Sequence, residues 1–294
     1  MKRKHFLKLM AVVPLTGVAM NLKEFGRITE GFGNTEKMPV LFLGHGSPMN
    51  AIEENEFVRG FRESVRTIPR PKAILCISAH WETKGTRVTA MPNPRTIHDF
   101  GGFPKALYEV NYPAPGSPEL AEATKKIITK TEVILDDKWG LDHGAWSVIK
   151  HMYPDADIPV VQMSLDYQQT PAYHYELARE LDRLRSKGIL IIGSGNMVHN
   201  LRMVAWDKMN VDDYGYDWAL EASDKMKQFI QNGNHTSLIN YRSNGRPFEL
   251  AVPTPEHYLP LLYTLALQRK DEKVSLFNDK AMAGSLTMTS VRIG

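Results

Sequence analysis

The chain has 294 residues, of which 43% are hydrophobic and 23% charged, a length and mixture that suit one large globular domain or two small ones. Its formal net charge of +3 is unevenly spread: residues 1–38 hold seven Lys and Arg against three Asp and Glu, so the remainder, with 29 basic and 30 acidic side chains, is close to neutral. That balance gives no electrostatic case for a nucleic-acid partner, and a lone cysteine, Cys76, excludes both an internal disulfide framework and a cysteine zinc cluster.

Residues 1–20, MKRKHFLKLMAVVPLTGVAM, begin basic and run into an apolar stretch, broken by Pro14, that is too short to span a bilayer. Within it, Arg3-Lys4-His5-Phe6-Leu7-Lys8 resembles the twin-arginine export motif with Lys4 where the second arginine belongs, and no clear A-x-A cleavage site follows. The expectation is an export signal over 1–20 and a periplasmic or exported protein with no stable membrane span. The alternative is an N-terminal extension on a cytoplasmic protein. Residues 21–38, polar and containing Gly31 and Gly33, read as a linker.

From there apolar runs alternate with amphipathic stretches. PVLFL (39–43), AILCIS (73–78), IPVVQMSL (158–165) and GILIIGS (188–194) are apolar throughout, the pattern of strands buried on both faces. Helical patterns lie around 51–67, 117–130, 143–152 and 171–186. Ser117-Pro118-Glu119 supplies an N-cap followed by proline in the first turn. This alternation predicts one α/β domain over 39–294, with a mostly parallel central sheet flanked by helices. Cys76, inside AILCIS, reads as a buried strand residue.

In such sheets ligands bind beyond the carboxyl ends of the strands, and histidines gather there. His45 follows LFL in LFLGHGSP, His80 follows CIS in SAHW, and His199 follows GSG in GSGNMVHN. His257 lies in TPEHYLPLLY, where Thr254 is a candidate N-cap, Pro255 the first helical residue and His257 part of the first turn. A single histidine is more often a hydrogen-bonded structural residue than a ligand. Several at successive strand ends point instead to a metal with an open coordination position. Ser47 is no nucleophile elbow, since G-x-S-x-G is not met, and it reads as a turn residue. GSGNMV lacks the third glycine of a dinucleotide fingerprint, and the chain carries no P-loop.

LFLGHGSPMN, SAHW, TIHDFGGFP, YPAPGSPEL, DHGAW, MYPDADIPVVQMS, GSGNMVHNL and TPEHYLPLLY, in order from about residue 38 onward, resemble the class III extradiol ring-cleavage dioxygenases, and among them the 4,5-DOPA dioxygenase branch. The resemblance implies a non-haem metal, Fe(II) in active dioxygenases with Zn(II) able to occupy the same site. It also implies a small catechol substrate and dioxygen. By motif, His45 and His80 would be ligands and His257 the third, with Glu256 beside it as alternative ligand or supporting group. His199 would be the acid/base, able itself to approach the metal. His143 of DHGAW is expected to donate a proton or meet oxygen, or else to cap the helix that begins there. His98 and Asp99 of TIHDFGGFP are expected to line the substrate pocket. Trp81 and Tyr258 adjoin proposed ligands but read as core, and His5, His151, His174 and His235 receive no function. The competing readings are a zinc hydrolase with Glu256 or His199 as base, and a non-catalytic binding protein. The sequence sets no oligomeric state.

Overall fold

The computed structural model describes residues 32–294; the expected export signal and residues 21–31 of the linker lie outside them. Over 32–38 the chain is already attached to the domain. Phe32 and Met38 are buried, and the Thr35 and Met38 N–H groups donate to Ser186 O and Arg185 O, each at 3.0 Å.

The strands are β1 (Val40–Gly44), β2 (Ala73–Thr83), β3 (Thr86–Thr89), β4 (Val133–Asp136), β5 (Val160–Asp166), β6 (Ile189–Gly195), β7 (Val274–Phe277), β8 (Ala281–Met282), β9 (Leu286–Thr287) and β10 (Ser290–Ile293). Eight form one sheet in the order β4-β3-β5-β2-β6-β1-β10-β7, and β8 pairs with β9 in a separate ribbon. The central four, β5, β2, β6 and β1, run parallel. Antiparallel pairing appears only outside them, where β3 meets β5, β10 meets β1 and β7 meets β10. These four central strands are the four apolar runs of the sequence, as burial on both faces requires.

Alternation along each strand divides the core in two. Val40 and Phe42 of β1 join Leu75, Val161 and Ile191 on one face, beneath the helices Pro118–Ile127, Pro171–Ala178, Asp217–Gln231 and Leu259–Ala266. Leu41 and Leu43 join Ile74, Cys76 and Ile192 on the other, packed against Phe61 of the helix Glu56–Val65 and Trp146 of the helix His143–Met152. Each such fully buried side chain stabilises the fold by roughly 1.5–3 kcal/mol. No helix among the described residues is long and apolar enough to cross a membrane.

Three local features differ from expectation, and each bears on the site. β2 does not stop at Ser78 but runs on to Thr83, and its register against β5 jumps from Ile77–Met163 to Glu82–Leu165. His80 therefore sits on a bulge within the strand, a device that re-aims side chains. The helix after His257 starts at Leu259, with Pro260 in its first turn, so His257 belongs to the turn Thr254–Tyr258 rather than to the helix. At residue 143 the cap is Asp142, whose carboxylate accepts from the Ala145 N–H at 3.1 Å, leaving the His143 side chain free for other contacts.

Candidate metal centre

β1 ends in a turn built around two glycines. Gly46 adopts φ +62°, and a Cβ there would lie 2.4 Å from Met288 Sδ; at Gly44 it would lie 2.4 Å from Met288 O. The chain then enters a short helix, Pro48–Ala51, capped by Ser47, whose hydroxyl accepts from the Met49 N–H at 3.2 Å. Ser47 is thus a turn residue. His45, between the glycines, is buried and held at both ends of its peptide: its N–H donates to Gly195 O at 3.0 Å, and its C=O accepts from Asn50 Nδ2 at 2.9 Å.

His45, His80 and His257 each bring a ring nitrogen into one cluster in which all three lie within 4.8 Å of one another. His45 Nε2 and His80 Nε2 are 3.2 Å apart. The tautomers follow from the partners. The Ser194 hydroxyl donates to Gly144 O, so towards His45 Nδ1, 2.9 Å away, it acts as acceptor. His45 therefore carries its proton on Nδ1 and turns the Nε2 lone pair inward. His257 Nδ1 is hydrogen-bonded to Glu256 Oε1 at 3.1 Å, which sets the same tautomer there, while His80 Nδ1 lies 3.4 Å from Asp99 Oδ2. This is the carboxylate–histidine support common behind metal ligands.

Two inward lone pairs 3.2 Å apart repel in a metal-free pocket. Donors of that kind sharing one cation at about 2.0–2.1 Å would stand roughly 3.0–3.4 Å apart. The donor set thus fits a divalent transition metal, for which neutral imidazole is a suitable ligand. Burial and then the neighbouring imidazoles hold His45 and His257 well below the usual histidine range. Burial and His143 take His80 down to about 3 against the pull of Asp99. All three rings are neutral at pH 7.

His199 stacks on His257 with ring centroids 3.6 Å apart and planes 7° from parallel, and its pKa is lowered to about 4 by burial. His143 lies against His80, centroids 3.8 Å apart, with its Nδ1 3.0 Å from Asp99 Oδ2, and its backbone N–H donates to Asp99 Oδ1 at 2.9 Å. Burial raises the Asp99 carboxyl, but the hydrogen bond and charge of His143 outweigh it and leave the group below the usual range.

The sequence expectation for residues 98–99 needs correction. A cavity of about 370 Å³ opens over the histidines, bounded by His80, His143, His199 and His257 together with apolar side chains; neither His98 nor Asp99 lines it. His98 is turned to Val110 O, 2.9 Å from its Nε2, and packs on Trp146, so it secures its own loop. Asp99 supports two histidines from behind. Trp81 stacks on Trp139 at 5.6 Å and the Tyr258 hydroxyl donates to Leu238 O at 3.0 Å, so both aromatics are core. Glu256 is engaged by His257 and by Thr254 Oγ1 at 2.9 Å.

Sequence reasoning did not identify the residues that set this geometry. Asp142, fully buried, accepts from Ser78 Oγ and Gln162 Nε2, both at 2.7 Å, and fixes the junction between the bulge of β2 and the helix carrying His143. Burial and then the Asp99 charge push its carboxyl up. The signal was present: Ser78, Gln162 and Ser194 are polar residues inside runs buried on both faces, and such groups must find hydrogen-bond partners.

The chain matches the family described as the catalytic LigB subunit of aromatic ring-opening dioxygenase over residues 39–291. It is 47% identical over 265 residues to a 4,5-DOPA dioxygenase extradiol of Escherichia coli (strain K12), covering 89% of this chain and 96% of that protein. It is 36% identical over 258 residues to a 4,5-DOPA dioxygenase extradiol of Beta vulgaris, covering 85% and 94%. Among solved structures, an uncharacterized protein from Escherichia coli K12 superposes with a TM-score of 0.76 at 43% identity, covering 88% of this chain and all of that one.

Proposed function

The chain belongs to the LigB family of metal-dependent, extradiol ring-opening dioxygenases, and on that premise we propose that it opens a catechol ring beside the diol with dioxygen, using Fe(II) held by His45, His80 and His257. The observation that carries this reading is the convergence of three neutral imidazoles, two of them with tautomers set by Ser194 and Glu256, beneath a cavity large enough for a single aromatic ring. When bound, the iron supplies a Lewis acid that lowers the pKa of the diol and a centre at which catechol and dioxygen can meet.

The chain's own residues handle the protons. His199, neutral at pH 7 and at the cavity wall, accepts a proton from a catechol hydroxyl and returns it later in the cycle. Stacking on His257 keeps its ring parallel to that of a ligand residue, which fixes the direction from which the proton leaves. His143, with its Nδ1 3.0 Å from Asp99 Oδ2, presents its other edge to the cavity as a second group able to exchange a proton or meet oxygen. Apolar residues around the cavity exclude water from the reacting ring.

Zn(II) suits the same three nitrogens, and with Glu256 committed to His257 and Thr254 a zinc hydrolase would have to use His199 as its base; the family match favours ring opening over that reading. A binding protein without catalysis would not need His199 and His143 at the cavity wall beside the trio.

The deciding experiment is anaerobic reconstitution with Fe(II), followed by oxygen and either L-DOPA or simpler catechols, with a yellow ring-opened product as the expected result. Ester or amide hydrolysis with Zn(II), and no product from any catechol, would overturn the reading. We also propose that residues 1–20 direct export. A reporter fused after residue 38 should then appear outside the cytoplasm, and its retention inside would reject the signal.

A further inference from the structure

Asp99 meets His80 and His143 in a way that a single metal on the trio does not account for. One donor atom from each of the three residues lies within 4.8 Å of the other two, a second cluster beside the first. Asp99 Oδ1 is satisfied by the His143 N–H at 2.9 Å. Oδ2 is not: His143 Nδ1 stands 3.0 Å from it and His80 Nδ1 3.4 Å. His143 is only 5% exposed, yet its Nδ1 lies outside hydrogen-bond geometry and has no partner. Electron-rich atoms at these separations, with no hydrogen bond joining them, are spaced as ligands of one cation at about 2.0–2.1 Å. Charge points the same way. Burial and then the Asp99 charge push the nearby Asp142 carboxyl up, and neither acid is paired with a Lys or Arg among the described residues. A divalent ion would supply the compensating charge that buried carboxylates need. The comparable group of His199, Glu256 and His257 differs, because Glu256 Oε1 is already hydrogen-bonded to His257 Nδ1 and the Thr254 hydroxyl.

We propose that Asp99 Oδ2, His143 Nδ1 and His80 Nδ1 form a second site for a divalent transition metal, filled after the trio and inhibitory when filled. Two imidazole nitrogens with one carboxylate oxygen suit Zn(II), and not Mg(II) or Ca(II), which take oxygen ligands. His80 is shared: its Nε2 belongs to the trio and its Nδ1 to the second ion, which displaces the Nδ1 proton on binding. That sharing makes the second site the weaker of the two. The ion also occupies His143 Nδ1, so the ring at the cavity wall is pinned and can no longer exchange a proton through that nitrogen. Turnover is thereby coupled to free zinc. The inhibition rests on the ring-opening reading above; the site does not.

The test has a binding arm and a rate arm. In the first, chelator-treated protein is dialysed against Zn(II) and its zinc content is read by elemental analysis. Wild type should take up about two ions per chain, the second more weakly, and His143→Gln and Asp99→Asn about one each. Retention of the first ion shows that each variant is folded with its trio intact. One ion in the wild type at every zinc concentration, or two in both variants, would overturn the proposal. In the second arm, protein loaded anaerobically with Fe(II) is titrated with Zn(II) and oxygen uptake with L-DOPA is followed. At saturating zinc kcat should fall roughly tenfold or more, with KM nearly unchanged and the iron still bound, and the residual rate of His143→Gln should not respond to zinc. Inhibition that tracks the loss of iron would place the zinc on the trio and overturn the inhibitory role. The binding arm needs no turnover, so a protein that opens no catechol would overturn the activity while the zinc content still decides the second site.

Discussion

His45 Nδ1 and Ser194 Oγ stand 2.9 Å apart, and because the serine hydroxyl is already spent on Gly144 O it meets the imidazole only as an acceptor. One hydroxyl on β6 thereby decides which nitrogen of a residue on the neighbouring β1 turn faces the metal centre. Ser194→Ala leaves the buried Nδ1–H without a partner and releases the ring. Metal affinity should fall about 10–100-fold, measured by competition with a chromogenic chelator. Unchanged affinity would show that packing alone orients His45.

His199 and His45 should separate cleanly in mutants. His45→Ala and His80→Ala remove donors and are expected to lose the metal. His199→Ala should retain it while turnover drops by roughly 10²–10⁴, the range for a missing acid/base. Elemental analysis beside oxygen uptake distinguishes the two classes. Loss of metal from His199→Ala would make His199 a ligand instead.

Gly144 lies where the helix His143–Met152 meets β2, and a Cβ there would come within 2.5 Å of Ser78 Oγ and 2.8 Å of His80 Cδ2. Alanine normally gains up to about 1 kcal/mol over glycine inside a helix. Here overpacking, at about 1–3 kcal/mol, should outweigh it. Gly144→Ala is expected to unfold at lower urea and to bind metal more weakly because His80 is displaced. Wild-type values in both measurements would refute this close approach.

His174, far from the metal centre, links pH to stability. Its ring is buried between the Tyr263 hydroxyl, 3.0 Å from Nδ1, and Asp166 O, 3.2 Å from Nε2, and burial lowers its pKa from 6.5 to about 4. The unfolded chain then binds the extra proton first as pH falls. Stability from this group is full above pH 6.5 and is lost on acidification towards pH 4. The loss is ~2 kcal/mol by pH 5 and ~3.4 kcal/mol below pH 4. In urea unfolding of the chelator-treated protein, the gap between wild type and His174→Gln should therefore narrow by about 2 kcal/mol between pH 7.5 and 5. A constant gap would mean that the folded ring takes up its proton over the same pH range as in the unfolded chain.

The four central strands were legible because each is an unbroken apolar run, a pattern that a strand buried on both faces can hardly avoid. β3, reading TRVT, and β4, reading VILD, are short and carry polar or exposed residues, so nothing in their composition separated them from loops. The histidines at strand ends were legible for a different reason, since the topology of a parallel sheet gathers those positions. Their supports were less so. Ser194 and Asp142 act through long-range pairing between β6, β5 and a helix start, and no local pattern shows which partner a buried hydroxyl or carboxylate will meet. The Thr254-Pro255 pair misled because it has the chemistry of a helix start. Pro255 O does accept from the Tyr258 and Leu259 N–H groups, but only as a turn ahead of the helix.

β1 pairs on one side with β6, Val40 beside Ile191, and on the other with β10, Val40 beside Ile293. During synthesis β1 is the first strand of the sheet to emerge, yet both neighbours are made much later. Its exposed, fully apolar edges must wait through most of translation, the condition in which nascent chains call on chaperones. The candidate donors lie at residues 45, 80 and 257, so a product terminated before residue 257 lacks one of the three nitrogens that converge at the carboxyl end of β1.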